Sequence, residues 1–411
     1  MNHHRRHDCR LCGSKNLKAV LHLAPTPLAD LYLDEEHKHQ SCPCFPLDLY
    51  FCENCYHVQL SDVIDPRDLF ENYIYETTSS PGLVDHFQNY VEDTIQKMNN
   101  PPGSKVLDIG SNDGTLLKIF KHFGYQVLGV DAAKEIAKKT TQNGIETIAG
   151  FFDSQLARQI QKQKGTMDII TANNVYAHAD NLPDITDGVR LLLNPDGVFI
   201  FEVSNLFDLI QNKVFDFIYH EHLCYHSVLS LDRFFKRHGL VLFDAKPIPT
   251  KGGSIRGYVK LESSNRTVSD TVLNLINQEM ALGLDKAQTY LKFESEIVQI
   301  KEQAMRLIRQ IKKDNKTIGA YGASATTTTL IYHFELTQDL SFIVDDNKDR
   351  QGLFSPGCHL PVISSEEMYA KKPDYILIAA WRFSDAIIKK HEAFLKQGGH
   401  FIIPLPKLKI V

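Results

Sequence analysis

Six of the eight cysteines lie before residue 56, and four of them form two CxxC pairs, Cys9-Arg10-Leu11-Cys12 and Cys52-Glu53-Asn54-Cys55. In a CxxC turn two thiolates reach adjacent corners of one tetrahedron, so two such pairs specify a four-thiolate zinc site. Disulfides are disfavoured in a reducing compartment, and unrelated buried thiols would not share two matched spacings. Four thiolates close the coordination shell and leave no position for water or substrate, so the expected role is structural. Cys42 and Cys44, a Cys-Pro-Cys between the pairs, are second-choice ligands because CxC bites a tetrahedron less comfortably.

A zinc knuckle accounts for a small part of 411 residues, and at about 100–200 residues per domain the length asks for two to four domains. Hydrophobic residues at 43% and charged residues at 23% describe ordinary folded protein. A net charge of −5 argues against a broad nucleic-acid footprint, so any bound anion is held locally. No apolar run reaches the ~18–20 residues of a membrane span, and the basic start is not followed by a signal-peptide core. The expected compartment is the cytoplasm, with no nucleic-acid polymer and no membrane as partner.

After the break at Asn99-Asn100-Pro101-Pro102-Gly103, an apolar strand from Lys105 to Ile109 runs into Gly110-Ser111-Asn112-Asp113-Gly114 and a helix from Thr115. This is the form of a nucleotide-binding strand-turn-helix, but the full GxGxxG spacing is missing, which disfavours a dinucleotide pyrophosphate. The next strand, Gln126 to Val130, ends in Asp131, where a carboxylate can bind ribose hydroxyls. Further strands at Met167 to Asn174 and Gly197 to Val203, alternating with helices, complete a doubly wound α/β sheet. The bland alternative has Asp108 and Asp131 merely capping helices. The segment resembles class I S-adenosylmethionine-dependent methyltransferases, whose DxGxxxG loop packs on the methionine part of the donor and whose second-strand acid holds the ribose. On that resemblance Asp108, Gly110, Asn112, Asp113, Asp131 and Asn173 are the candidate donor-binding residues.

The densest unusual chemistry is Tyr219-His220-Glu221-His222-Leu223-Cys224-Tyr225-His226, which follows the fifth strand on the ligand side of the sheet. A metal reading fails on spacing: the string is not HExxH, and His222 and His226 lack an evident third ligand. A polar surface helix is the plain alternative. General base chemistry is the sharper one, since an imidazole is largely neutral at cytoplasmic pH and Glu221 could orient it. His222 is the candidate base.

Here the resemblance narrows to the three-domain sugar C-methyltransferases of deoxysugar biosynthesis. It rests on the paired CxxC knuckle with Pro27-Leu28-Ala29-Asp30 between, Glu71-Asn72-Tyr73-Ile74-Tyr75, Asp108 to Gly114, Asn174-Val175-Tyr176-Ala177-His178, Tyr219-His220-Glu221-His222 and Gly252-Gly253-Ser254-Ile255-Arg256, in the family's order. It implies removal of a proton beside the ketone of a nucleotide-linked 4-keto-6-deoxy sugar, followed by methylation of that carbon. It also implies that Tyr73, Asn174, His178, Tyr219 and Glu221 line the sugar pocket around His222. His220 stands where the family string has Asp.

Val272 to Lys313 reads as long helices, and Thr317 to Thr326 as strand-turn-helix, with later strands at Leu340 to Val344, Tyr375 to Ala379 and His400 to Ile403. A second, Rossmann-like sheet follows, which by resemblance helps hold the nucleotide-sugar, with Gly352, Pro356 and Gly357 matching a family loop. Asp345-Asp346 could serve a dinucleotide there, but the glycine spacing is again incomplete. The family's Lys is replaced by Thr326 in a run of four threonines, and its Trp-Asn by Trp381-Arg382. Ser254 and Arg256, with Lys251, could hold a pyrophosphate; the alternative is a hairpin turn. The expected division is a zinc-binding domain over 1–68, a methyltransferase domain over 69–250 and a Rossmann-like domain over 251–411, in a monomer. Competing functions are an O- or N-methyltransferase of another metabolite and a non-catalytic zinc-stabilised binding protein.

Overall fold

The computed structural model describes residues 2–71, 77–79 and 82–411. Tyr73, with Asn72, Ile74 and Tyr75 of its motif, lies outside the described residues.

The cysteine-rich segment builds an antiparallel four-stranded sheet from Leu17–Thr26, Phe45–Cys52, Val58–Leu60 and, from far along the chain, Cys224–Tyr225. Alternating residues such as Leu47, Leu49 and Phe51 fill its core. The expected 1–68 unit is therefore incomplete by itself, because its edge strand follows the Tyr219–His222 string directly.

The central sheet has seven strands in the order Leu240–Ile248, Ser254–Leu261, Leu193–Ser204, Met167–Asn173, Lys105–Ile109, Gln126–Asp131, Thr147–Ala149. The five strands from Leu193–Ser204 to Thr147–Ala149 are parallel, and Ser254–Leu261 is antiparallel to both its neighbours. The chain winds outward from Lys105–Ile109 in one direction and then returns to its other side at Met167–Asn173. That reversal opens a crevice at the carboxyl ends of these two strands, where such sheets bind ligands. Ser254–Leu261, beyond the boundary expected at residue 250, pairs with Leu193–Ser204, so the central sheet takes a strand from the segment that follows.

The expected helical stretch breaks at Gly283, left-handed at φ 85°, into Asp270–Leu282 and Ala287–Lys313. The longer helix buries Tyr290, Phe293, Ile297, Ile300, Ala304, Ile308 and Ile311, a stripe at three- and four-residue spacing. It packs on Leu17–Thr26, with the Tyr290 and Phe51 rings 5.3 Å apart. The last sheet orders Val362–Ile363, Ile343–Val344, Ile318–Tyr321, Tyr375–Ile378 and His400–Ile403 in parallel, closed by antiparallel Lys409–Ile410. This is the expected Rossmann-like unit. Among the described residues no helix is long and apolar enough to cross a membrane.

Candidate active site and zinc centre

Gly13 N–H donates to the Cys9 carbonyl and Tyr56 N–H to the Cys52 carbonyl, each at 2.8 Å, which curls both CxxC segments into turns facing one point. The Sγ atoms of Cys9, Cys12, Cys52 and Cys55 lie within 4.8 Å of one another, with Cys9–Cys55 at 3.4 Å and Cys12–Cys52 at 3.6 Å. Zn–S bonds of about 2.3 Å require tetrahedral edges of about 3.8 Å, so the donor set fits zinc. Cys42 and Cys44 stand apart: the Cys42 thiol faces the Gln40 carbonyl and Cys44 is exposed. Among the described residues no other cluster of His, Cys, Asp or Glu has ligand geometry.

At the crevice, the Gly110 and Ser111 N–H groups donate to the Val130 carbonyl at 2.7 and 3.2 Å. Gly110 has φ 72°, and a Cβ there would stand 2.2 Å from Val175 Cγ2, so the loop tolerates only glycine. Asp131 accepts from Asn112 N and Ala133 N at 2.8 and 2.9 Å, which opposes the upward pull of burial on its carboxyl. Asp108 lies beneath the loop and accepts from Thr171 Oγ1 at 2.6 Å; burial pushes its carboxyl up to about 7. Both amide atoms of Asn173 are buried with no hydrogen-bond partner, at the carboxyl end of the fourth strand. A buried amide left unpaired is costly unless a ligand completes it, so these residues fit a polar donor molecule.

Asn112 and Asp113 are directed elsewhere. Asn112 Oδ1 accepts from Thr77 N at 2.9 Å, while Asp113 accepts from Thr78 N and, through its other oxygen, from Thr115 Oγ1 at 2.6 Å. Their side chains fasten the Thr77–Ser79 turn over the loop, and Asp113 also accepts from Thr115 N at the start of the next helix.

Around the Tyr219 string, His222 is buried and its Nδ1 lies 2.9 Å from the Phe217 carbonyl. A carbonyl only accepts, so the proton sits on Nδ1 and Nε2 keeps its lone pair, to which the Tyr219 hydroxyl donates at 2.9 Å. Burial pushes the His222 imidazolium down to about 4, with Lys251 adding to the fall and the Phe217 carbonyl opposing it. The His178 ring stands edge-on at 5.1 Å, also held neutral by burial, His222 and Lys251. Asn174 adopts φ 57° where its N–H donates to the Glu202 carbonyl at 2.7 Å, turning the chain toward His178. Burial, with Asp30 nearby, pushes the Glu221 carboxyl up to about 7. His220 faces the opposite way: its Nε2–H points at the Phe45 and Pro46 carbonyls, both 3.3 Å away, so this departure from the family string serves domain packing.

Ser254 and Arg256 are engaged within the protein. Cross-strand register places Arg256 opposite Glu202, and its guanidinium donates to Glu202 Oε2 at 3.0 and 3.1 Å while stacking 4.0 Å from the Tyr90 ring. Glu202 also accepts from His86 at 2.8 Å. Ser254 is buried and donates to the Thr250 carbonyl at 3.2 Å. These groups brace the hairpin and the helix Leu83–Met98, with the Arg256 charge matched by Glu202. Arg256→Met is expected to cost about 3 kcal/mol in urea denaturation, since it leaves the buried Glu202 carboxylate with His86 and the Thr250 hydroxyl as its partners. Unchanged stability with a raised KM would instead return Arg256 to the substrate.

Two contributors differ from the sequence reading, which does not include Phe217 and gives Lys251 only as a pyrophosphate holder. Phe217 acts through its carbonyl, which no side-chain pattern encodes. Lys251, left-handed at φ 55°, is solvent-accessible yet crowded, within electrostatic reach of Glu202, Glu221, His178 and His222.

Comparison with known proteins shows the following similarities. Residues 9–70 match the family model "Putative zinc binding domain", residues 84–244 "Methyltransferase domain" and residues 249–406 "C-methyltransferase C-terminal domain". The C-methyltransferase NovU of Streptomyces niveus is 31% identical over 405 residues, 98% of this chain and 96% of that protein. A ubiquinone biosynthesis O-methyltransferase of Actinobacillus pleuropneumoniae serotype 5b is 32% identical over 120 residues, 27% of this chain and 50% of that protein. A crystal structure of a SAM-dependent methyltransferase from Anabaena variabilis overlaps with a TM-score of 0.37 at 14% identity, covering 48% of this chain and 96% of that one. With 31% identity to one C-methyltransferase along 98% of the chain and all three domain models in order, the chain belongs to the S-adenosylmethionine-dependent C-methyltransferases.

Proposed function

We propose that this enzyme methylates the carbon beside the ketone of a nucleotide-linked 4-keto-6-deoxy sugar, thymidine diphosphate-linked and at C-3, with His222 as the base. The observation that carries the reading is the neutral His222 whose Nε2 lone pair is presented to Tyr219 while Nδ1–H is tied to the Phe217 carbonyl. A proton beside a ketone is a weak acid, and a positioned base contributes about 10²–10⁴-fold. The enolate oxygen needs donors, each worth about 10²–10³-fold; Tyr219, Asn174 and the Lys251 ammonium are the candidates, with Tyr73 from the same family motif. Burial disfavours the His222 imidazolium, and the low dielectric that does so also strengthens its attraction to an enolate formed beside it, which offsets that cost. Bound S-adenosylmethionine supplies an electrophilic methyl group. Asp131 would hold its ribose and Asn173 its polar end, which aligns donor and enolate carbon. The enzyme works as a monomer in the cytoplasm, where the four thiolates stay reduced.

The test is incubation with the donor and a panel of thymidine diphosphate-linked keto-sugars, followed by mass spectrometry and proton NMR. One carbon-bound hydrogen replaced by one methyl is expected. A methyl on oxygen or nitrogen, with every carbon-bound hydrogen retained, would contradict the reading.

A further inference from the structure

The peptide that orients His222 is itself gripped by the C-terminal domain. The short turn Phe215–Phe217 carries the carbonyl that accepts from His222 Nδ1. Each of the residues 216, 217 and 218 is held from the C-terminal side. The carboxylate of Asp216, fully buried, accepts from Trp381 Nε1 at 3.0 Å and from Arg382 Nη1 at 2.9 and 3.1 Å. The Arg382 guanidinium then lies 4.5 Å over the Phe217 ring. Thr329, in the helix Ala325–His333, donates its hydroxyl to the Ile218 carbonyl at 2.8 Å.

The four-threonine run singled out in the sequence thereby acquires a purpose. Thr327 donates to the Gly322 carbonyl of its own loop at 2.6 Å, Thr328 to the Ala29 carbonyl of the zinc-binding domain at 3.0 Å, and Thr329 to Ile218. Thr326 accepts from Arg382 Nη2 at 3.5 Å. One helix start therefore meets all three domains, and Arg382 is occupied within the interface, which removes it as a free substrate-holding cation.

We infer that Asp216, Thr329 and Arg382 are positioning residues: docking of the C-terminal domain fixes the Phe217 carbonyl and so holds His222 in the tautomer with a basic Nε2. The tautomer of a buried imidazole follows the hydrogen bond made by its other nitrogen. If the turn slackens, the proton moves to Nε2 and the lone pair faces the wrong way. The catalytic consequence rests on the reading of His222 as base; the tautomer itself does not.

The experiment uses the full-length enzyme with ¹⁵N-labelled histidine, long-range ¹H–¹⁵N spectra and steady-state kinetics, with the His222 signals assigned by their loss in His222→Asn. Wild type should show His222 protonated on Nδ1. Thr329→Val should lower kcat about 10-fold and Asp216→Asn about 10²-fold, with KM and donor affinity within about twofold, as expected for a misplaced reactive group. Both should raise the Nε2–H tautomer, and Arg382→Lys should retain more activity than Arg382→Met. A shifted tautomer with unchanged kcat would uphold the positioning role and remove His222 as base. An unshifted tautomer in both variants, or a loss confined to KM, would overturn the inference.

Discussion

His222→Asn lowers methyl transfer by about 10²–10⁴-fold and leaves donor affinity near wild type. The separation follows from placement: donor candidates Asp131 and Asn173 sit on strands of the central sheet, whereas His222 sits on a loop tied to Phe217 and Tyr219. The pH profile carries a second signature. An exposed imidazole would lose its basic form below about pH 6.5. Burial pushes the His222 imidazolium down to about 4, so the base form persists through mild acid and the rate falls only toward that lower value. Glu221 and Asp108 have carboxyls pushed up to about 7 by burial, so either can give a step near neutrality, and of the two only Glu221 lies beside His222 in the catalytic string. Glu221→Gln should erase a step that comes from the catalytic string and leave one that comes from Asp108 in place. Rate profiles of both variants, with calorimetric donor titration, check the expectation.

Zinc removal abolishes methyl transfer without abolishing donor binding. Structural four-cysteine sites contribute about 10–16 kcal/mol of metal-binding free energy that is also folding free energy. Here the folded knuckle reaches the catalytic loop by hydrogen bonds: Leu60 N–H donates to the Leu223 carbonyl at 3.0 Å, and Cys224 pairs with Gln59. Arg10, between the first two thiolates and fully buried, donates to Asp180 at 2.9 Å, two residues beyond His178. Loss of the metal therefore releases the supports of both His178 and His222. Chelation, or Cys12→Ser, should render residues 1–70 protease-sensitive and eliminate turnover, while the seven-stranded sheet stays folded and titrates with donor. A metal-free protein with full turnover would contradict a structural zinc that organises the site.

What was legible in the sequence is what short spacing encodes. Cys9, Cys12, Cys52 and Cys55 declare a tetrahedron through two local turns, and Asp108, Gly110 and Asp131 declare a ligand crevice through strand, turn and helix. Long-range register was not legible. Arg256 reads as a free cation beside a glycine turn until the pairing of Ser254–Leu261 with Leu193–Ser204 sets it opposite Glu202. The same pairing moves the end of the sheet beyond residue 250. Asn112 and Asp113 have the composition of ligand contacts, yet the Thr77–Ser79 turn takes their hydrogen bonds. Thr326 and Arg382 look like substitutions in a substrate cleft, yet the docked domains bring Asp216 against Arg382 and Ile218 against Thr329 of the same threonine run.

The most direct measurement is proton exchange at the carbon beside the ketone, followed by NMR in deuterium oxide with keto-sugar nucleotide and no methyl donor. Wild-type enzyme should exchange that hydrogen, and His222→Asn should slow the exchange by about 10²–10⁴-fold. Equal exchange by the two proteins would show that another group takes the proton, and the account of His222 would fail.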